Sequence, residues 1–176
     1  MLKAFHPDRI AESAYEIPYD YYCAQGIRGV IFDIDNTLVP HGAPADKRAA
    51  ELFAALRELG LHTCLLSNNK EQRVAPFAQA VGSLYIYKAG KPGRSGYERA
   101  MEAMGTDRST TLFVGDQLFT DVYGARRTGI FSILVKPIHP REEIQIVLKR
   151  FLEKPVLYFY KRNHRGQCGR GLRRPE

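Results

Sequence analysis

Along this chain, short apolar runs alternate with longer stretches in which apolar residues recur every three or four positions. Residues 28–33 read Arg-Gly-Val-Ile-Phe-Asp, a β-branched run bounded by glycine and charge. A run of that kind suits a strand buried on both faces of a parallel sheet. Residues 61–66, 84–87, 110–114 and 130–135 have the same character. Between them the spacing becomes helical. Residues 45–59 carry apolar side chains at 49, 52, 53, 56 and 59, with Gly60 as a stop. Helices are also predicted over 71–81, where Pro76 kinks or shortens the element, and over 95–104, 118–128 and 141–153. Strand and helix alternate five times. The pattern predicts an α/β fold, a three-layer doubly wound parallel sheet with helices on both faces.

A chain of 176 residues suits one domain with a short appendage. The expected division is an N-terminal helical extension over 1–27, the α/β domain over 28–153, and a basic, partly disordered tail over 154–176. The net charge of +7 is uneven: residues 1–135 hold 15 basic and 15 acidic side chains, and residues 136–176 hold 11 and 4. Such a tail can attract anionic lipid or nucleic acid. The segment 151–162 mixes aromatic and basic residues, a composition suited to a membrane interface. No apolar run approaches the roughly 20 residues that span a bilayer, and the first residues lack the apolar core of a secretory signal. Cys23, Cys64 and Cys168 show no paired spacing. The expectation is a cytoplasmic protein, with peripheral contact with a membrane as a further expectation.

In open parallel sheets, ligands bind beyond the carboxyl ends of the strands. The residues standing there are Asp33-Ile-Asp35-Asn-Thr37, Ser67-Asn68-Asn69, the stretch 88–91 with Lys88 and Lys91, and Gly115-Asp116. Asp33 and Asp35 at positions i and i+2 of a strand would point the same way and repel. A divalent cation relieves that repulsion, and oxygen donors alone favour Mg²⁺. Asp116 could add a third carboxylate, and Asp121 could hold the metal's water or orient Asp116. Ser67, with the backbone amides of Asn68 and Asn69 at a helix start, suits a phosphate. Lys91 adds a compact positive charge. A carboxylate can attack phosphorus, and a second can protonate the leaving oxygen and later activate water. His41 reads as a surface residue, and the Tyr19-Asp-Tyr21-Tyr22 cluster as core or groove lining.

Asp33-Ile-Asp35-Asn-Thr37-Leu, Ser67-Asn68, Lys91-Pro92 and Gly115-Asp116-Gln-Leu-Phe-Thr-Asp121 resemble, in order, the four motifs of the haloacid dehalogenase (HAD) superfamily. The resemblance covers about residues 28–137. The wording of these motifs is closer still to the YqeG family, a class IIIA group related to phosphatidylglycerophosphate phosphatases. The resemblance implies a HAD-like Rossmannoid fold and assigns roles. Asp33 would be the nucleophile and a metal ligand. Asp35 would be the general acid/base, with its backbone carbonyl on the metal. Lys91 would screen the nucleophile and phosphate, and is chosen over Lys88 because Pro92 follows it. Thr37 would hold the loop and stand with Ser67 and Asn68 among the substrate-binding residues, Ser67 on the phosphoryl oxygens; Asp116 would bind Mg²⁺, and Asp121 would sit behind the metal ligands.

The gaps between motifs, about 29 residues from Thr37 to Ser67 and about 23 from Ser67 to Lys91, cannot hold a folded cap domain. An open site suits a phosphate displayed on a large body. The reaction that the family resemblance implies is Mg²⁺-dependent dephosphorylation of phosphatidylglycerophosphate to phosphatidylglycerol at a membrane surface, with the basic, aromatic segment 151–162 as a minor independent support. The alternatives are a nucleic-acid-end or nucleotide phosphatase, and a non-catalytic phosphate-binding scaffold. The oligomeric state is left open.

Overall fold

A computed structural model describes residues 5–139 and Tyr158. The predicted helix over 141–153, most of the aromatic-basic segment 151–162 and the tail 154–176 lie outside the described residues. Six strands form one sheet: β1 (Arg9–Ala11), β2 (Gly29–Phe32), β3 (His62–Leu66), β4 (Leu84–Ile86), β5 (Thr111–Gly115) and β6 (Phe131–Val135). Their spatial order is β1-β6-β5-β2-β3-β4, and every pairing is parallel. The helices are α1 (Tyr19–Ala24), α2 (Lys47–Glu58), α3 (Glu71–Val81), α4 (Arg94–Met104) and α5 (Tyr123–Thr128).

The alternation of strand side chains divides the core into two layers. Val30, Phe32, Leu65, Leu112 and Val114 pack with residues of α1, α2 and α3. Ile31, Cys64, Leu66 and Phe113 point the other way, onto Tyr97, Ala100 and Met101 of α4 and Ala125 of α5. Both faces are covered, as the continuous apolar runs predict. Phe32 and Phe53 pack with ring centroids 5.2 Å apart and planes tilted by 44°, and each is fully buried. Burial of such a side chain contributes about 1.5–3 kcal/mol.

Three features differ from the sequence expectation. The N-terminal segment contains helix, but Arg9–Ala11 is a strand that joins the sheet beside β6. Three residues are too few to show a period, so the pattern hid it. Helix α3 runs from Glu71 to Val81 with Pro76 inside it; packing of Val74, Phe77, Ala78 and Val81 carries the helix past the missing donor. The stretch predicted as one helix over 118–128 begins instead as a π-helical turn, Leu118–Val122, before α5. The Val122 N–H donates back to the Gln117 carbonyl at 3.1 Å.

From β2 the chain proceeds outward through β3 to β4, then crosses back to β5 on the other side of β2. The strand order reverses between β2 and β5, which opens a crevice at their carboxyl ends. Between Thr37 and Ser67 the described chain forms a loop, α2 and β3, and between Ser67 and Lys91 it forms α3 and β4. Neither interval carries a cap.

Candidate active site

Asp33 leaves β2 at the crevice and Asp116 leaves β5 beside it. One carboxylate oxygen from each of Asp33, Asp116 and Asp121 falls within 4.8 Å of the others, and all three residues are buried. The wide turn at Leu118–Val122 brings Asp121 back under Asp116. Its Oδ2 accepts from the Gln117 N–H at 3.1 Å. Its Oδ1 accepts from Lys91 Nζ at 2.7 Å, and the same ammonium donates to Asp33 Oδ1 at 2.6 Å. Thr37 Oγ1 donates to Asp116 Oδ1 at 3.2 Å.

Glycine makes this geometry possible at one position. A Cβ on Gly115 would lie 2.6 Å from Asp121 Oδ2 and 2.7 Å from Phe113 Cε1. The residue before Asp116 must therefore lack a side chain.

Burial pushes the Asp33 carboxyl above its ordinary range, the Lys91 charge pulls it back, and Asp121 pushes it up again. Burial alone would disfavour the Lys91 ammonium, but the carboxylates of Asp121 and Asp33 outweigh it and hold Lys91 protonated. Lys88, in contrast, is exposed.

Asp35 behaves differently. The strand ends at Phe32, and the chain turns tightly at Ile34–Leu38, with the Leu38 N–H on the Ile34 carbonyl at 2.9 Å and Asn36 at φ 65°. Strand alternation no longer applies there, and the Asp35 carboxylate is not part of the acidic trio. Its Oδ1 accepts from Arg73 and from the Gly42 N–H, both at 2.8 Å, and its Oδ2 accepts from Asn69 Nδ2 at 2.8 Å. Gly42, Asn69 and Arg73 as partners of Asp35 are absent from the sequence reading, because no local pattern marks contacts 7, 34 and 38 residues away.

Ser67 follows β3, and its Oγ accepts from the Asn69 N–H at 3.2 Å. Helix α3 begins only at Glu71, so residues 68 and 69 form a turn before the helix and not its first amides, as the sequence suggested. The Asn68 side chain grips the backbone of Lys91 from both sides: Oδ1 accepts from the Lys91 N–H at 2.8 Å, and Nδ2 donates to its carbonyl at 3.1 Å. Asn68 thus holds the lysine loop. His41 is exposed. Tyr19 and Tyr22 belong to the core, and Tyr21 is exposed.

A sequence model of haloacid dehalogenase-like hydrolases matches residues 41–129. The chain is 35% identical over 164 residues to the Probable phosphatase YqeG of Bacillus subtilis, which covers 92% of this chain and 95% of that protein. The chain belongs to the haloacid dehalogenase-like hydrolase family. It is also similar to Phosphatidylglycerophosphate phosphatase 1 of Arabidopsis thaliana, 25% identical over 158 residues, and to that of Chlamydomonas reinhardtii, 26% over 142 residues. These matches cover 78% and 74% of this chain but only 45% and 53% of those two proteins, so the chain spans about half their length. Among solved structures, an uncharacterized protein from Listeria monocytogenes superposes with a TM-score of 0.53 at 18% identity, over 77% of this chain and 99% of that one. A hypothetical protein from Xanthomonas campestris gives 0.53 at 17% identity, over 74% and 76%. These likenesses concern the fold.

The oxygen-only donors of Asp33, Asp116 and Asp121 fit a hard divalent cation. Among the described residues, no helix is long and apolar enough to cross a membrane.

Proposed function

We propose that this HAD-family phosphatase is a Mg²⁺-dependent phosphomonoesterase that works through an aspartyl-phosphate on Asp33, and that its substrate is phosphatidylglycerophosphate. One observation carries the chemistry: the buried Asp33 carboxylate stands at the switch-point crevice with an ammonium at 2.6 Å and two more carboxylates beside it. Asp33 and Asp116, with the backbone carbonyl of Asp35, would hold Mg²⁺; Asp121 supports them from behind. When bound, the ion neutralises charge on the phosphoryl oxygens.

Asp33 Oδ attacks phosphorus while the bond from phosphorus to the ester oxygen breaks. Asp35 gives its proton to that oxygen, and the alcohol leaves. Asp35 then takes a proton from water, whose oxygen attacks the aspartyl-phosphate and frees inorganic phosphate and Asp33. Lys91 holds positive charge against the transferring group throughout. Ser67 and the backbone of Asn68 bind the phosphoryl oxygens.

Two observations support the lipid substrate: the named relatives act on phosphatidylglycerophosphate by their names, and the described residues form no cap domain over the site, which suits a phosphate carried on a large body. The test is phosphate release, with Mg²⁺, from that lipid in mixed micelles, from soluble phosphomonoesters and from nucleic-acid 5′ and 3′ ends. Micellar lipid is expected to be turned over fastest, and Asp33→Asn to abolish turnover. Efficient hydrolysis of soluble or nucleic-acid phosphates with none from the lipid would overturn the substrate assignment. Turnover surviving in Asp33→Asn would overturn the nucleophile.

A further inference from the structure

The Asp35 carboxylate is held asymmetrically by three donors, Gly42 from its own loop, Asn69 from the turn before α3 and Arg73 from the start of α3. Oδ1 receives two donors, the Gly42 backbone N–H and the Arg73 guanidinium. Oδ2 receives one neutral donor, the Asn69 amide. Bonds from a charged donor are roughly twice as strong as neutral ones. Oδ1 is therefore the anchored oxygen and Oδ2 the one that can exchange partners.

Arg73 is itself held. It lies on the first turn of α3, and its guanidinium carbon sits 5.6 Å from the ring centroid of Phe77, one turn further along. Phe77 is buried in the core. The Arg73 and Asp35 side chains are only 20% and 12% exposed, so solvent screens this pair less than a surface pair. A chain of contacts leads from the core through Phe77 and Arg73 to one oxygen of Asp35.

We propose that Arg73 is a positioning residue: it anchors Asp35 through Oδ1 and leaves Oδ2 to face the ester oxygen of a phosphate seated on Asp33. This rests on the proposed function for the role of Asp35 as proton donor and acceptor. In the first half-reaction the proton passes from Asp35 Oδ2 to the departing alkoxide as the phosphorus–oxygen bond breaks. In the second, Oδ2 takes a proton from the attacking water.

The test uses leaving groups that differ in their need for that proton. An alkyl phosphate such as glycerol 3-phosphate leaves as an alkoxide and requires it. p-Nitrophenyl phosphate leaves as a stable phenolate and does not. The quantity compared is kcat/KM, which reports events up to formation of the phospho-enzyme. Arg73→Gln is expected to lower kcat/KM for the alkyl ester at least about tenfold, within the range general-acid catalysis supplies. For the aryl ester the change should stay within about threefold, and Arg73→Lys should fall between. In an Asp35→Asn background, Arg73→Gln should add less than about a twofold loss, because a residue acting through Asp35 has nothing left to act on.

Equal losses on both esters, no loss on either, or independent losses in the double variant would overturn the proposal. If Arg73→Gln does not fold, Arg73→Lys decides by the same ratio. Failure of the unaltered protein to release phosphate from both esters and from the micellar lipid would instead overturn the phosphatase mechanism. A normal unaltered enzyme with an unchanged alkyl-to-aryl ratio in the variants overturns only the role of Arg73.

Discussion

Replacing Gly115 with alanine would place a methyl group where Asp121 already stands. The new Cβ would lie 2.6 Å from Asp121 Oδ2, 2.7 Å from Phe113 Cε1 and 2.8 Å from Asp121 Cγ. Comfortable separation for such atoms is about 3.5–4.0 Å, so the carboxylate must retreat by roughly 1 Å. It has no slack. Oδ1 is bonded to Lys91 and Oδ2 to the Gln117 N–H, and the residue is fully buried. The Phe113 ring is also fully buried and packs at 5.3 Å from Tyr97. Overpacking of this kind costs about 1–3 kcal/mol. At about 2–4 °C per kcal/mol for a chain of this size, thermal unfolding should fall by roughly 2–12 °C. Displacing Asp121 also displaces Lys91, and a shift of about 1 Å in a positioning group can cost on the order of 10²-fold in rate. Thermal melts with circular dichroism and phosphate release with Mg²⁺ read the two effects. An unfolding midpoint within about 1 °C of the parent, together with an unchanged kcat/KM, would refute the argument, since it would show that Asp121 can move without consequence.

Further outcomes follow from other contacts. Asn68→Ala removes both bonds to the Lys91 backbone; at about 0.5–1.5 kcal/mol each, stability should drop by roughly 1–3 kcal/mol, and kcat/KM should fall more than that of a surface Asn→Ala control. Chelation of divalent metal should abolish turnover, and Mg²⁺ should restore it; activity that survives chelation would exclude a metal role for Asp33 and Asp116. Hydrogen bonds from Ser109 and Thr110 hold the Asp107 carboxyl below the ordinary aspartate value of 3.8. Because the folded value is the lower one, the contribution is present above pH 3.8 and is lost as the pH falls through the folded value. Asp107→Ala should therefore lose stability at neutral pH, and the gap in unfolding midpoint between parent and variant should narrow in acid; a gap independent of pH would contradict the assignment.

The strands were legible where the core is two-sided. Val30, Ile31 and Phe32 must all be apolar because alternate residues face opposite helical layers. Once the strands were placed, Asp33, Ser67 and Asp116 followed as the residues at their ends. Lys91 was legible from Pro92 beside it and is the lysine that reaches the carboxylates. The orientation of Asp35 was not legible, since the i, i+2 rule holds only while the strand lasts and the strand stops at Phe32. The contacts of Arg73 and Asn69 with Asp35 were hidden for a related reason: the partner is distant in sequence, and an arginine on a helix face looks the same whether it meets water or a carboxylate. The two-way grip of Asn68 was likewise invisible, because it binds backbone, which carries no residue signature.

The short first strand has a bearing on how the protein tolerates handling. Arg9–Ala11 covers the outer edge of β6, and Asp8 secures it, accepting from the Ser132 N–H at 2.8 Å and pairing with Arg126. Trimming the chain to residue 12 would uncover Phe131–Val135, five residues whose side chains are almost all buried. A long apolar strand with unpaired amides is a template for a second chain. Shortened versions of this protein should therefore self-associate through β6 before they lose their catalytic geometry, and the first sign of N-terminal damage would be turbidity.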